Sequence, residues 1–104
     1  MNQENISFRA CVYPDGNEWI AECVDYVFIA QGTSIDSALS NLGICLVAQY
    51  YSDKSKNRTA LDKHRQEKSV FRKIFERANL KYKTKLPESL FRNSANVEPE
   101  VVYC

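Results

Sequence analysis

The sequence predicts an α+β fold in which a small antiparallel sheet is covered on one face by a long helix. Three observations support this prediction. Residues 6–13 alternate between apolar and polar side chains, a period of two that is typical of a half-buried strand. Two more short apolar stretches follow at once, each separated from the previous one by a turn. Residues 35–49 then place apolar side chains three and four apart, as in an amphipathic helix.

The three strands are predicted to form a meander. Residues 14–17 read PDGN, in which proline fixes one φ angle and glycine permits a positive one, so the chain reverses there. It returns through residues 18–24, turns again at Asp25 and Tyr26, and continues through residues 27–31. Connections this short join neighbouring strands that run in opposite directions.

The long helix has a clear start. Ser34 is a good N-cap because its hydroxyl can accept a hydrogen bond from a free N–H of the first turn, and Asp36 suits the positive end of the helix dipole. Gly43 lies inside the helix, where it costs about 1 kcal/mol relative to alanine, which indicates close packing on the sheet or on a neighbouring helix. We expect the helix to end near Ser52 and Asp53.

The second half of the chain is basic. Residues 59–79 predict a second helix, polar in its first half and apolar along one face in its second half. Residues 80–86 alternate again with lysines on one side, which is typical of a protected edge strand. Residues 88–98 are predicted to form a loop, and residues 101–104 a short terminal strand. The whole chain, residues 1–104, is therefore predicted to form one α+β domain: a three-stranded antiparallel meander, a long helix, a second basic helix and one or two C-terminal strands, with residues 54–85 as a basic insertion.

Composition excludes several classes. A hydrophobic fraction of 44% and a charged fraction of 26% are ordinary for a folded domain and not for a disordered chain. No apolar run reaches the 18 residues that a membrane span needs, and the N-terminal residues lack the pattern of a signal peptide. The four cysteines stand far apart without metal-binding spacing, which indicates free thiols. These features predict a cytoplasmic protein that does not contact membranes.

The charge is divided unevenly along the chain. Residues 1–50 contain one basic and six acidic residues, a net charge of −5, whereas residues 51–104 have a net charge of +6. Residues 54–85 contain 12 basic and three acidic residues. This asymmetry indicates either an anionic partner or association between copies of the chain.

No catalytic residue, metal ligand or cofactor is predicted. A two-metal nuclease needs converging carboxylates, and the first strand has none near its middle. The acidic residues around the sheet are predicted to be turn and surface residues. His64 lies in a polar stretch beside Lys63 and Arg65, where a single histidine is usually a surface residue. We therefore expect a protein that is not an enzyme.

Two sets of residues are candidate binding sites. Because one helix covers one face of the sheet only, the other face needs a second layer, supplied either by the second helix or by another subunit. The residues on that face that are predicted to bind a partner are Tyr13, Ile20, Glu22 and Val24. A second, basic set could bind nucleic acid, a nucleotide or an acidic protein, or could simply be a solvated surface. Its members are Lys63, Arg65, Lys68, Arg72, Lys73 and Arg77.

Residues 8–42 resemble the HicB antitoxin family. The most specific part is AQGTS at residues 30–34, followed by the amphipathic helix. The matching residues are Val12, Asp15, Trp19, Ile20, Ala21, Glu22, Cys23, Ala30, Gln31, Gly32, Ser34, Ala38 and Leu42. The passage from CVDY directly into the third strand is similar to compact, orphan members of that family. No helix-turn-helix or ribbon-helix-helix segment follows, and the basic residues 54–85 lie outside the family pattern.

The resemblance implies a partial ribonuclease H fold, made of three antiparallel strands, a helix and a returning strand. It also implies a non-enzymatic antitoxin or inhibitor that binds and occludes a small toxin or another protein partner and forms homo-oligomers. A module that binds or sequesters an anionic ligand, of phage or host-defence type, is the alternative.

Overall fold

The computed structural model describes residues 4–66, 70–91 and 95–104 and confirms the α+β class. The strands are β1 (Asn5–Asp15), β2 (Glu18–Cys23), β3 (Ile29–Gly32), β4 (Tyr82–Lys83) and β5 (Asn96–Tyr103). The α-helices are α1 (Ile35–Ser55) and α2 (Val70–Arg77), and short 3₁₀ turns occupy Asp62–His64 and Glu88–Leu90. No helix in these ranges combines the length and the apolar character needed to cross a membrane.

The strands form one mixed sheet in the order β3-β2-β1-β5-β4. β2 is antiparallel to both β1 and β3, β5 is parallel to β1, and β4 is antiparallel to β5. β1, β2 and β3 are antiparallel neighbours in chain order, but the sheet is not the simple three-stranded meander that the sequence predicts, because β5 joins it between β1 and β4. In this register Arg9 lies beside Glu100, and Cys11 lies beside Val102.

β5 is longer than the four-residue strand that the sequence predicts. It begins at Asn96 and contains Pro99, a residue that usually argues against a central strand. Thr84 donates its N–H to the carbonyl oxygen of Pro99 at 3.1 Å. The N–H and C=O of a residue point to the same side of a strand, so the donor that proline lacks would face β4. The ladder to β1 is therefore unaffected.

α1 begins where the sequence predicts. The Ser34 hydroxyl accepts a hydrogen bond from the Ser37 N–H at 3.0 Å, and the Ser37 hydroxyl accepts one from the Ser34 N–H at 3.1 Å. This reciprocal pair satisfies two backbone donors of the first turn. A Cβ atom at Gly43 would lie 2.5 Å from Cδ1 of Leu86, so the close packing predicted there is with residues 86–91 and not with the sheet or another helix.

The basic stretch is less helical than predicted. Asp53 is buried, and its carboxylate accepts hydrogen bonds from the Leu61 N–H at 2.8 Å and from the Gln49 side-chain amide at 2.9 Å. The bond from Leu61 holds the pKa of Asp53 below its ordinary value. These contacts draw the chain back toward α1, and Leu61 adopts a positive φ of 64° that no helix contains. Residues 59–66 therefore form a loop with one 3₁₀ turn, and α2 covers Val70–Arg77 of the predicted helix, whose residues 67–69 lie outside the described residues.

The two faces of the sheet are covered differently. α1 packs on the first face against a large core whose members include Phe8, Val12, Ala21, Val97 and Val101. On the opposite face, which we call the α2 face, a smaller cluster joins Cys11, Val24 and Val102 to Phe75, with Phe71 and Ala78 partly buried around it. The second layer is thus provided by the same chain, and it extends over part of the α2 face only.

Candidate interaction surface

α2 is anchored to the sheet by one aromatic ring. Phe75 is the only residue of α2 that is buried, and its ring lies between two cations. The guanidinium carbon of Arg9 is 5.2 Å and the ammonium of Lys81 is 5.0 Å from the ring centroid. Phe71 stacks on Tyr13 with centroids 5.8 Å apart and rings nearly parallel. The side of α2 that faces the sheet is therefore occupied by these aromatic contacts.

A cluster of three charges, which we call the Asp25 cluster, fixes one end of α2. Asp25 Oδ2 accepts a hydrogen bond from Arg9 Nε at 2.8 Å, and Asp25 Oδ1 is 3.2 Å from Nη2 of Arg72. Arg72 also donates to the carbonyl oxygen of Gln66 at 3.0 Å. The hydrogen bonds from Arg9 hold the pKa of Asp25 below its ordinary value, and they raise the pKa of Arg9. The cluster connects β1, the segment after β2 and α2.

Replacing Asp25 with asparagine is expected to lower the free energy of unfolding at pH 7 by about 1–2 kcal/mol, because one charged partner is lost from two ion pairs at a partly exposed site. The pKa of Asp25 is lowered in the folded state, so its stabilisation is complete above the unfolded value of about 3.9 and is lost as the pH falls through the folded value. Urea denaturation between pH 7 and pH 2 should therefore show the two proteins converging at acid pH.

The control for this measurement is Asp15→Asn at the exposed end of β1, where Asp15 forms no ion pair with any described residue. It should leave the stability at pH 7 unchanged, because an exposed side chain without an ion pair contributes little to it. Equal stability of Asp25→Asn and the wild type at pH 7 would contradict the structural role given to the Asp25 cluster.

Beside Arg9 and Asp25 of the Asp25 cluster, the same face of the sheet opens into a groove of about 490 Å³, which we call the polar groove. It is lined by Ser7, Phe8, Arg9, Asp25, Tyr26, Arg65, Lys83, Glu98 and Glu100. The Arg65 guanidinium lies over the ring of Tyr26, 5.8 Å from its centroid. Within the described ranges, four of the charged residues around the groove form no ion pair: Arg65, Lys83, Glu98 and Glu100. The groove thus offers charges of both signs to a bound molecule.

The outward side of α2 forms a second exposed surface, which we call the outer stripe. Val70 is 69% exposed and Ile74 is 42% exposed, and one turn of helix separates them. Lys73 and Arg77 lie on the same outward side, are exposed, and make no ion pair with another residue in the part of the chain that the structure describes. α2 therefore presents apolar side chains both toward the sheet and away from it.

The four sheet residues predicted to bind a partner lie on the α2 face but differ in access. Val24 is fully buried beneath α2, and Ile20 is 7% exposed. Tyr13 and Glu22 are half-buried, and the Tyr13 hydroxyl donates to the Glu22 carboxylate at 2.9 Å. Burial, followed by this hydrogen bond, raises the pKa of Tyr13 to about 12. Only Tyr13 and Glu22 of the four therefore offer appreciable surface to a partner.

The six predicted basic residues do not form one patch. Arg65 lines the polar groove, Arg72 belongs to the Asp25 cluster, and Lys73 and Arg77 lie on the outer stripe. Lys63 is exposed in the 3₁₀ turn Asp62–His64. The last member of the set, Lys68, lies outside the described residues.

Several groove residues were not among the predicted site residues. The sequence predicts a loop up to Glu98, and Glu98 and Glu100 on either side of Pro99 do not show the apolar alternation of a strand. The sequence predicts only that Ser7 and Lys83 are polar side chains on one face of their strands. The period of two does place Ser7 and Arg9 on one face, but their position beside Glu98 and Glu100 depends on the parallel pairing of β1 with β5.

Among residues 4–66, 70–91 and 95–104, no three side chains of histidine, cysteine, aspartate or glutamate converge as metal ligands would. His64 packs against the ring of Phe28, with centroids 5.3 Å apart. In comparisons with known proteins, no family model, no curated protein and no solved structure matches the chain.

Proposed function

We propose that the chain is a HicB-like, non-enzymatic interaction protein of the cytoplasm that acts as an antitoxin or inhibitor by binding and occluding a protein partner. The observation that supports this proposal best is the outer stripe of α2. The inner side of this helix is already packed on the sheet, yet Val70 and Ile74 remain exposed on the outer side. The resemblance of residues 8–42 to the HicB family supports the same class of function.

The composition of the outer stripe suits an acidic protein surface with an apolar centre. A single exposed valine or isoleucine is common in folded proteins. Here two lie one helical turn apart, with Lys73 and Arg77 beside them. An apolar centre with a charged rim is the usual anatomy of a protein interface, in which the centre supplies most of the affinity and the charges guide orientation.

Association between copies of the chain is part of this proposal. The N-terminal half has a net charge of −5 and the C-terminal half a net charge of +6, so acidic residues of one copy can pair with basic residues of another. A homo-oligomer that forms in this way should dissociate as salt is added, because exposed charges are screened. Light scattering at low and high salt measures this directly.

The experiment that tests the proposed function begins with capture of proteins from the source cells on the immobilised chain. Any captured protein is identified by mass spectrometry, purified, and titrated calorimetrically against the wild type and a Val70→Ser/Ile74→Ser variant. Ile44→Ser is the matched control, because Ile44 is 41% exposed on α1, close to the 42% of Ile74. We expect the double variant to bind at least about tenfold more weakly, the control to bind normally, and the partner's own activity to be inhibited by the wild type.

Two results would overturn the proposal. One is that no protein is captured above the background of an empty column. The other is that the captured protein binds the wild type and the double variant with equal affinity, or keeps its full activity in the complex.

The alternative is a module that binds an anionic ligand, either nucleic acid or a nucleotide. The exposed and unpaired Lys73 and Arg77 favour it, since released counterions would reward each phosphate contact. Titration with RNA, DNA and ATP at two salt concentrations tests it, with Lys73→Glu/Arg77→Glu as the variant. Arg72 is left unchanged because it holds α2 through Asp25. Saturable binding that this variant loses would establish the alternative, and no binding at low salt would reject it.

The first proposal is preferred because the outer stripe combines two cations with two aliphatic side chains. Two cations provide few phosphate contacts, and two adjacent aliphatic side chains gain nothing from contact with a phosphate backbone. They do gain from contact with another apolar protein surface.

A further inference from the structure

The unpaired charges around the polar groove follow a regular order across the sheet. Arg65 lies on the β2 side, where its backbone pairs with that of Tyr26. Glu98 and Glu100 are two residues apart on β5 and so share one face. Lys83 lies on β4, directly opposite Glu100. From the β2 side of the groove to β4, the charges of these residues are therefore positive, negative and positive.

The width of this pattern matches an extended polypeptide. The Arg65 guanidinium lies over Tyr26, and from that position the strands β1, β5 and β4 follow in turn. Three strand spacings of about 4.8 Å give a span of about 14 Å. An extended chain rises about 3.3 Å per residue, so residues i and i+4 are about 13 Å apart, with residue i+2 midway and on the same side.

We propose that the polar groove docks an extended segment of a protein partner that has an acidic, a basic and an acidic residue at alternate positions. The basic residue lies between Glu98 and Glu100, and the two acidic residues contact Arg65 and Lys83. This inference rests on the proposed function, because it specifies the partner's chemistry. The segment crosses the strands and forms no backbone ladder with them, so the order of its charges determines recognition.

Charge complementarity favours this occupant over a polyanion. Phosphates that approach Arg65 and Lys83 would also meet the carboxylates of Glu98 and Glu100 between them. Arg9, the other cation of the groove, is hydrogen-bonded to Asp25 and lies beside Glu100, so its charge is shared between two carboxylates and adds little attraction for a phosphate. A segment with a basic residue at its centre and an acidic residue on either side pairs with both carboxylates and with both exposed cations.

The test uses the complete chain, labelled with ¹⁵N, and two synthetic peptides followed by NMR. The first is acetyl-Gly-Asp-Ser-Arg-Ser-Asp-Gly-amide, and the second has the same composition in the order Gly-Ser-Asp-Asp-Arg-Ser-Gly. At about 20 mM salt we expect saturable shifts at amides around Ser7, Tyr26 and Glu98 with the first peptide. The second peptide should bind at least about threefold more weakly, since exposed ion pairs differ by modest energies.

A pair of matched variants completes the experiment. Glu98→Gln/Glu100→Gln removes the two carboxylates of the floor and should weaken binding of the first peptide by about tenfold. Asp15→Asn/Glu18→Gln makes the same change of net charge at the β1–β2 hairpin, outside the groove, and should leave binding unchanged. Circular dichroism confirms that both variants are folded.

The inference is overturned if the first peptide gives no saturable shifts up to about 2 mM, if both peptides bind equally, or if the two variants behave alike. These failures are separate from failure of the proposed function. A partner that loses affinity with Val70→Ser/Ile74→Ser, while the peptides do not bind, rejects the groove alone. Order-specific peptide binding without any captured partner rejects the antitoxin proposal and leaves the groove as a peptide site.

Discussion

Replacing Leu42 with alanine is expected to lower the free energy of unfolding by about 2–5 kcal/mol, a large part of the stability of a small domain. Leu42 is fully buried at the middle of α1, between Leu39 and Leu46, and packs into the core on the first face of the sheet. The loss combines the transfer energy of the removed atoms with the cost of the cavity left behind. Urea denaturation followed by circular dichroism measures the difference.

The control for Leu42→Ala is Ile44→Ala on the same helix. Ile44 is 41% exposed, so its truncation should cost less than about 1 kcal/mol. Alanine has a high helix propensity, and neither substitution should weaken the helix itself. If both variants lose the same small amount, then α1 does not pack on the sheet as the structure describes.

Replacing Phe75 with alanine is expected to cost about 3 kcal/mol and to release α2 from the sheet. Phe75 is the only buried residue of this helix, and eight residues are too few to form a stable helix without tertiary contacts. The amide protons of α2 should therefore exchange far faster than those of α1 in the same molecule. Hydrogen exchange followed by NMR makes the comparison within one sample.

The thiol of Cys11 provides a second readout for Phe75→Ala. Cys11 is buried beneath α2, its Sγ lies 3.8 Å from the carbonyl oxygen of Phe71, and burial raises its pKa. In a background in which the exposed Cys45 and Cys104 are serine, a thiol reagent should modify the Phe75→Ala protein much faster than its parent. Ile74→Ala, one residue away but 42% exposed, should leave the rate unchanged. A Cys11 thiol that stays unreactive in Phe75→Ala would contradict this account of how α2 is held.

The first half of the chain was predictable because its signals are local. The cap at Ser34, the leucine spacing of α1 and the period of two in β1 each depend on neighbours within a few residues. The position of β5 is a different matter. Its pairing with β1 joins residues about 90 positions apart. No pattern within Asn96–Tyr103 predicts that its parallel neighbour is a strand so distant in the sequence.

The candidate surfaces were only partly predictable for the same reason. Arg72, Lys73 and Arg77 share a short stretch of sequence, but helical geometry and the carboxylate of Asp25 turn Arg72 inward and leave the other two on the outer stripe. Similarly, the polar first half of the predicted second helix is not helical at residues 59–66, because the buried Asp53 binds the backbone of Leu61. Both outcomes depend on contacts that form only when the chain is folded.

The position of β5 inside the sheet, between β1 and β4, has a consequence for synthesis of the protein. While the ribosome is still adding residues before Asn96, β1 has only β2 as a neighbour, and its other edge has no partner. The core under α1 then lacks Val97 and Val101, so we expect the emerging chain to stay incompletely folded until β5 has been translated. Pairing between strands so far apart in the sequence is intrinsically slow. We therefore expect the nascent protein to be exposed to proteases and to aggregation during this stage.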